Sequence, residues 1–346
     1  MTRVLLTGAS GFIASHILEL LLQRGYSVRF TVRSEEKAQK LLEAHKQYRD
    51  KLDYALVGDI AQPGAFDEAV KSDPPFTGIL HVASPFHFNV TDPKTELIDP
   101  AVNGTVGILK ATKAYAPTVK RIVITSSFAS IVDSSKPNDG AGHTYTENDW
   151  NPVTLEEGLL KPSNGYRASK KFAEKAAWDF VEQEKPNFDI ATINPPLVLG
   201  PVKPYVFSLS GPNTSIERVI SFIQGKAKNG APPSVVYLWV DVRDLALSHI
   251  LALEKPEAGG KRFFITEGYF SNQKIIDVIR KNFPQFVAGL PEKDEPNGGY
   301  PKELYKADNS RSKEVLGLTY RGLEESVKDL VESLVELGAD KQVSKV

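Results

Sequence analysis

The chain lacks cysteine entirely and contains a single methionine among its 346 residues. The absence of cysteine excludes disulfides, zinc–thiolate sites and thiol catalysis, although it does not fix the cellular compartment. The six histidines are scattered. Because none of them has ligand partners at metal-binding spacing, we expect no metal centre.

An excess of charge of either sign is also missing, since 42 basic residues oppose 43 acidic ones. Such a balance creates no field that favours nucleic acid or an anionic membrane as a partner. No apolar run approaches the roughly 18 residues that a membrane-spanning helix requires. No signal peptide precedes the first predicted strand. We therefore expect a cytoplasmic protein that binds neither nucleic acid nor membrane.

What the chain does contain at its start is a strand, a glycine turn and a helix. Residues 3–7 form a short apolar run typical of a buried strand, Gly8 ends it, and apolar residues at helical spacing follow. This layout directs backbone N–H groups and the positive end of a helix dipole toward a phosphate. Gly11 allows close approach of the anion, and Ala14 is small enough for close helix–strand packing.

Two basic residues stand where the second strand, predicted at 26–32, ends. Enzymes that use NAD usually place Asp or Glu there to bind the adenosine ribose, but this chain has Arg33, then Ser34 as a predicted N-cap and Lys37. A lysine in the first helical turn opposes the helix dipole, which indicates a local partner such as a 2′-phosphate. The pattern favours NADP, and a solvated surface pair is the alternative.

The N-terminal half alternates strands and helices, which indicates an α/β fold with a Rossmann-type, doubly wound parallel sheet. A smaller, discontinuous C-terminal lobe follows where Pro, Gly, Asn and Ser accumulate. We assign residues 1–195 and 235–265 to the NADP-binding domain, and 196–234 and 266–346 to the substrate lobe. Further strands are predicted at 54–57, 78–83, 121–126, 190–194 and 237–241. Helices are predicted at 35–48, 64–71, 101–116 (with Asp99 as N-cap and Pro100 at N1), 162–178, 216–224 and 242–253.

The chemistry of the chain is concentrated in Tyr166 and Lys170, four residues apart on one face of a predicted helix. A phenol titrates near pH 10 in water, and we expect the neighbouring ammonium to lower the tyrosine pKa toward the range of acid–base catalysis. Ser127 follows the strand at 121–126 and would supply a second hydroxyl. An ordinary amphipathic helix pair is the alternative for Tyr166 and Lys170.

A set of short motifs together resembles the extended short-chain dehydrogenases/reductases over nearly the whole chain. Within them the chain is similar to fungal NADPH-dependent methylglyoxal and carbonyl reductases, which are related to dihydroflavonol and cinnamoyl-CoA reductases. The motifs are Gly8-Ala9-Ser10-Gly11-Phe12-Ile13-Ala14, Ala83-Ser84-Pro85-Phe86, Pro100-Ala101-Val102-Asn103-Gly104-Thr105, Thr125-Ser126-Ser127, Tyr166 with Lys170, Lys171-Phe172-Ala173-Glu174-Lys175, Asn194-Pro195 and Asp241-Val242-Arg243-Asp244.

The resemblance implies an NADPH-dependent oxidoreductase that reduces aldehydes and ketones to alcohols. Ser127 and Tyr166 would bind the carbonyl oxygen, Tyr166 would act as general acid, and Lys170 would bind the nicotinamide ribose. The implied cofactor contacts are Gly8, Ser10, Gly11, Phe12, Ile13, Arg33, Lys37, Asp59, Ile60, Ala83, Ser84, Thr125, Tyr166, Lys170, Pro195, Val198 and Ser215. The expected walls of the substrate pocket are Phe86, Phe128, Leu197 and Tyr205. Phe128 and Leu197 stand where the relatives carry aromatic residues, tyrosine in the first case, so we expect a more apolar wall.

Three other functions remain open on the sequence. A sugar-nucleotide epimerase or dehydratase would share the fold and the Tyr–Lys pair, but more often carries an acid where Arg33 stands. A reductase of flavonoid or cinnamoyl-type substrates would differ only in the lobe. An NADP-sensing regulator would be expected to lack the Tyr–Lys pair. The natural substrate, the stereochemical preference and the choice between monomer and homodimer cannot be read from the sequence.

Overall fold

Seven parallel strands form the central sheet of the computed structural model, which describes residues 2–84, 90–136, 139–208, 214–292 and 294–341. The strands lie in the order β3-β2-β1-β4-β5-β7-β10. Their bounds are β1 Arg3–Thr7, β2 Ser27–Val32, β3 Leu52–Leu56, β4 Gly78–His81, β5 Arg121–Thr125, β7 Asp189–Asn194 and β10 Lys261–Phe264. The strand order reverses between β1 and β4, which confirms the doubly wound Rossmann-type fold.

Helices cover both faces of this sheet. Those that pack beside it or connect its strands are α1 Phe12–Gln23, α2 Glu35–Ala44, α3 Asp99–Tyr115, α5 Pro162–Glu184, α7 Val242–Glu254 and α9 Ser310–Leu316. A hydrophobic core lies on each face of the sheet, and successive side chains of β1 enter the two cores alternately. Val4 and Leu6 join the cluster beneath α1 and α7, whereas Leu5 joins the opposite cluster beneath α3 and α5.

A smaller part of the chain is built on a second sheet in the order β11-β9-β8. Its strands are β8 Leu197–Leu199, β9 Leu238–Asp241 and β11 Gly268–Tyr269, and its helices are α6 Thr214–Ile223, α8 Asn272–Asn282 and α10 Leu323–Glu336. A third core, with Trp239 completely buried, joins these elements. Two short strands, β6 Thr144–Tyr145 and β12 Lys306–Ala307, pair in parallel, and α4 Leu155–Leu159 precedes the longest helix. The division into two domains stays a prediction, and α9 packs against α7 and β10 of the large sheet.

Two local predictions were wrong. The helix predicted at 64–71 is absent, and residues 64–70 form turns, because the N–H groups of Ala65, Asp67 and Lys71 bond to i−3 carbonyls while that of Val70 bonds to an i−4 carbonyl. Phe66 is nevertheless buried in the core, as the apolar spacing indicated. Asp99 does not cap α3, since a π-helical turn, Lys94–Ile98, runs directly into the helix and the Asp99 carboxylate instead pairs with Lys94 at 2.6 Å. Ser34 does occupy the N-cap position of α2, but without a side-chain capping bond.

Within the ranges given above, no helix is long and apolar enough to cross a membrane.

Leu80 and Leu160 offer a matched test of how far the central sheet determines stability. Leu80 lies in β4 and is completely buried, whereas Leu160 is 79% exposed. We expect Leu80→Ala to lower the free energy of unfolding by about 2–5 kcal/mol through lost burial and a residual cavity. Leu160→Ala should change it by less than about 0.5 kcal/mol. Chemical denaturation of both variants checks this, and equal effects would contradict the assignment of β4 to the core.

Candidate active site

The carboxyl ends of β1 and β4 are joined by the hydroxyl of Thr7. Its Oγ1 accepts hydrogen bonds from the backbone N–H groups of Val82 and Ala83, both at 3.1 Å. Gly8 follows with φ of +72°, and a Cβ at this position would lie only 2.9 Å from the Ala83 Cα. Only glycine therefore allows the two chain segments to approach this closely at the point where the strand order reverses.

The N-terminus of α1 opens directly from this glycine turn. Gly11 is its N-cap residue, and no side chain forms a capping bond there. A Cβ on Gly11 would lie 3.2 Å from the Gly8 carbonyl oxygen, so the turn also needs a small residue at its second glycine. The predicted contacts Ser10, Phe12 and Ile13 lie along the same turn and are partly buried. These features fit a site where helix N–H groups bind a phosphate.

Arg33 and Lys37 lie beside the end of β2, and both side chains are exposed. Over the described part of the chain, neither forms an ion pair. Asp59, after β3, accepts bonds from Gln62 and from the backbone of Ala61, and these bonds, together with the nearby charge of Arg33, lower the pKa of its carboxyl. Two exposed cations at one strand end fit a phosphate of the ligand better than ribose hydroxyls alone.

The predicted catalytic side chains meet at the same edge of the sheet. Helix α5 begins at Pro162, as predicted, and continues to Glu184, six residues beyond the predicted end. Tyr166 on this helix lies beside the Ser127 side chain, and this contact acts to lower the pKa of the phenol. Lys170, one turn later, donates from Nζ to Ser84 Oγ at 3.0 Å. The structure thus brings together residues that follow β4 and β5 and residues of α5.

The pKa values of the two helix residues differ from the expected pattern. Burial raises the pKa of the Tyr166 phenol above its ordinary value, and the contact with Ser127 lowers it by less. Burial also lowers the pKa of the Lys170 ammonium to about 8, against the opposing effect of the Glu174 carboxylate. The expectation that Lys170 would lower the tyrosine pKa is therefore corrected, because the burial of the phenol dominates. Tyr166 is a protonated donor at neutral pH.

Ser127 is positioned by a single 3₁₀ turn, Phe128–Ser130. Its Oγ accepts a bond from the Ala129 N–H at 3.1 Å, and the Phe128 N–H donates to the Pro195 carbonyl at 2.8 Å. Thr125, predicted as a cofactor contact, bonds His249 Nε2 at 2.7 Å. Burial lowers the pKa of His249 to about 4, and its Nδ1 lies 2.7 Å from the Leu245 carbonyl, so the ring is neutral and accepts from Thr125.

The structure packs the predicted pocket walls Tyr205, Leu197 and Phe128 against different hydrophobic clusters. Phe128 is 3% exposed and stacks on Phe264 with ring centroids 5.0 Å apart, so it presents no free ring to a ligand. Tyr205 packs against His45 at the end of α2 that lies away from the carboxyl edge, with centroids 5.0 Å apart. Leu197 and Val198 begin β8, and Ser215 lies in the first turn of α6. Phe86 lies outside the described residues.

Sequence reasoning missed a buried polar cluster behind this site. Glu174 and Arg262 form an ion pair at 2.6 Å, and Asn194 and Ser130 bond to the same carboxylate. The sequence could have indicated Glu174, because this residue continues the four-residue spacing of Tyr166 and Lys170 along one helix face. No sequence pattern indicates Arg262, since its contact with Glu174 joins positions 88 residues apart. Among the described residues, no group of three or more His, Cys, Asp or Glu side chains could hold a metal ion.

Comparison with known proteins agrees with this geometry. The ketoreductase azaE of Aspergillus niger is 49% identical over 336 residues, covering 96% of this chain and 98% of its own. The putative NADPH-dependent methylglyoxal reductase GRP2 of Candida albicans is 43% identical, covering 96% and 98%. The crystal structure of Gre2 from Candida albicans in complex with NADPH superposes with a TM-score of 0.90 at 39% identity, covering 97% of this chain and 99% of that one.

A family profile extends this likeness across the dinucleotide-binding fold. It is described as the NAD dependent epimerase/dehydratase family, and it matches residues 4–265. That range includes the glycine turn at Gly8, the strand-end Ser127 and the pair Tyr166 and Lys170. The chain belongs to the NAD dependent epimerase/dehydratase family, the extended short-chain dehydrogenases/reductases, and is similar within it to fungal carbonyl reductases.

Proposed function

We propose that this protein uses NADPH to reduce aldehydes and ketones to alcohols. The observation that carries the proposal is the meeting of Ser127, Tyr166 and Lys170 at the carboxyl edge of the sheet, beside the glycine turn. Ligands of doubly wound sheets bind in this crevice. The names of the relatives, a ketoreductase and a methylglyoxal reductase, agree with this reaction class.

The residues present fit the cofactor. The turn at Gly8 and Gly11 and the N-terminus of α1 would hold the pyrophosphate. Arg33 and Lys37 would hold the 2′-phosphate, Asp59 and Ile60 would lie at the adenine, and Lys170 would bind the nicotinamide ribose. When bound, NADPH supplies the hydride that reduces the carbonyl carbon.

The protein's own part in the reaction is to bind and protonate the carbonyl oxygen. The hydroxyls of Ser127 and Tyr166 donate hydrogen bonds to this oxygen, and these bonds strengthen as negative charge develops on it. Tyr166 then gives its proton to the nascent alkoxide. A raised phenol pKa suits this role, because the tyrosine remains protonated until a base stronger than phenolate forms beside it. The ammonium of Lys170 stabilises the phenolate left behind.

Other functions of the same fold account for fewer of these features. A sugar-nucleotide epimerase would need no cationic pair at the end of β2, and a regulator that only senses NADP would need no Tyr166 phenol beside the Ser127 side chain. A reductase of flavonoid or cinnamoyl-type substrates uses the same chemistry and differs in the substrate that the lobe admits. The cytoplasmic location and an assembly as monomer or homodimer stay predictions.

The cationic pair predicts a preference for NADPH over NADH. Arg33→Ala should weaken NADPH binding roughly 10- to 150-fold, the value of one charge-assisted contact of about 1.5–3 kcal/mol, and leave NADH binding nearly unchanged. Isothermal titration of both cofactors measures this. Arg49→Ala is the matched control, because Arg49 is also exposed but lies beyond α2. Equal affinity of the unmodified protein for both cofactors would contradict the assignment.

The phenol of Tyr166 predicts a loss of chemistry without a loss of cofactor binding. Tyr166→Phe removes one oxygen, and hydride transfer should fall by at least about 10²- to 10⁴-fold because the proton donor is gone. Stopped-flow measurement of NADPH oxidation separates this step from product release. Lys170→Ala should instead lose turnover and weaken NADPH binding together.

The control for this series is Tyr26→Phe. Tyr26 donates its hydroxyl to Glu254 at 2.9 Å, at the opposite edge of the sheet, so its loss should leave hydride transfer unchanged. Near-normal hydride transfer in Tyr166→Phe would remove Tyr166 from the mechanism. Tight NADPH binding without turnover on any aldehyde, diketone or aryl ketone would favour the regulator.

A further inference from the structure

The carboxylate of Glu174 lies one helical turn beyond Lys170 and two turns beyond Tyr166, and the residue is 2% exposed. A buried carboxylate is tolerated only where donors replace its water shell. Here five side chains donate hydrogen bonds to the Glu174 carboxylate. The donors are Ser126 Oγ at 2.5 Å, Ser130 Oγ at 2.6 Å, Asn194 Nδ2 at 2.7 Å, Thr192 Oγ1 at 3.0 Å and Arg262 Nε at 2.6 Å.

Three of these donors lie at the Ser127 turn. Ser126 precedes Ser127 directly, and the Ser130 hydroxyl also lies 2.8 Å from the Ser127 carbonyl oxygen. Asn194 Nδ2 approaches the same oxygen at 3.4 Å. One carboxylate on α5 therefore fixes both sides of the Ser127 turn relative to the helix that carries Tyr166.

Arg262 makes this arrangement possible because its guanidinium compensates the negative charge of the Glu174 carboxylate. Its Nη1 donates to the carbonyls of Glu147 at 2.7 Å and Asp149 at 2.6 Å, and its guanidinium lies 3.8 Å from the Trp150 ring centroid. Burial alone would raise the pKa of Glu174, but the ion pair and hydrogen bonds with Arg262, together with the serine bonds, lower it below the ordinary value. Glu174 is thus ionised.

Lys170 experiences this negative charge. Among the described residues, Glu174 on the same helix and His81 on β4 interact electrostatically with Lys170, and Tyr166 precedes Lys170 by one helical turn. Burial, with a contribution from Lys170, lowers the pKa of His81 to about 3, so His81 is neutral near pH 7. Glu174 is then the group that favours the charged form of Lys170 against desolvation.

We propose that Glu174 is a positioning residue of the active site, which holds the Ser127 turn against α5 and keeps Lys170 charged. Its effect on catalysis rests on the proposed function, whereas its effect on Lys170 does not. Glu174→Gln and Glu174→Asp separate the electrostatic role from the positioning role. The amide of Gln keeps the shape of the side chain and removes its charge. Asp keeps the charge and shortens the side chain by one methylene.

The first readout is the titration of Lys170 in the cofactor-free protein. Lysine labelled with ¹³C at Cε reports it by NMR, with Lys170→Arg to assign the resonance. The midpoint should be about 8 in the unmodified protein. It should fall by about one unit or more in Glu174→Gln, since an opposite charge at close range has been removed. In Glu174→Asp it should stay near that of the unmodified protein.

The second readout is single-turnover hydride transfer at pH 7. Both Glu174 variants should be at least about tenfold slower, because small misplacements of Ser127 weaken the contact with the reacting oxygen. Asp244→Asn is the matched control. Asp244 is also buried, at 1% exposed, and pairs with Arg321 in a different part of the fold, so its loss should lower the melting temperature without changing either readout.

If Glu174→Gln does not fold, Ser130→Ala provides the geometric test with the ion pair intact, and it should slow hydride transfer while leaving the Lys170 midpoint in place. A Glu174→Gln protein that loses thermal stability as Asp244→Asn does, with the Lys170 midpoint and hydride transfer unchanged, would overturn the proposal. Absence of carbonyl reduction by the unmodified protein would instead contradict the proposed function, and the Lys170 titration would still decide the electrostatic role.

Discussion

A buried ion pair between Glu174 on α5 and Arg262 on β10 lies behind the candidate active site and connects the elements around it. Removing two charges from water costs several kcal/mol for each ion, and only good geometry with additional hydrogen bonds offsets that cost. Both conditions are met, because the serine, threonine and asparagine donors complete the carboxylate and two backbone carbonyls complete the guanidinium. The pair therefore joins the helix of Tyr166 to the edge of the sheet that carries Ser127.

The parallel sheet contributes a second constraint. Since parallel strands place all their carboxyl ends at one edge, the residues after β1, β4 and β5 meet without any being close in sequence. Gly8, Ser84 and Ser127 come together in this way. The Thr7 hydroxyl and the missing Cβ of Gly8 then set how closely β1 and β4 approach. One edge thus holds both the glycine turn and the hydroxyls of the candidate active site.

Burial decides the protonation states around this edge. His81 and His249 are neutral at physiological pH because desolvation lowers the pKa of each, to about 3 and about 4. Tyr166 remains protonated because desolvation raises the pKa of its phenol. Lys170 has a pKa of about 8, so its charge is the one of these four that changes just above neutrality. The site combines a protonated donor with an ammonium whose charge depends on its neighbours.

The sequence by itself determined the fold class, the glycine turn, the cationic end of β2 and the Tyr166–Lys170 spacing, because these follow from local periodicity and residue type. It failed at two local elements and at the long-range contacts. Residues 64–71 have helical apolar spacing, but residues 64–70 form turns, and a π-helical turn takes the place of the Asp99 cap. Only tertiary structure placed Phe128 against Phe264, Tyr205 against His45, and Arg262 against Glu174. The physical reason is that burial and charge pairing depend on which strands and helices become neighbours, and that information is not contained in any one stretch of the chain.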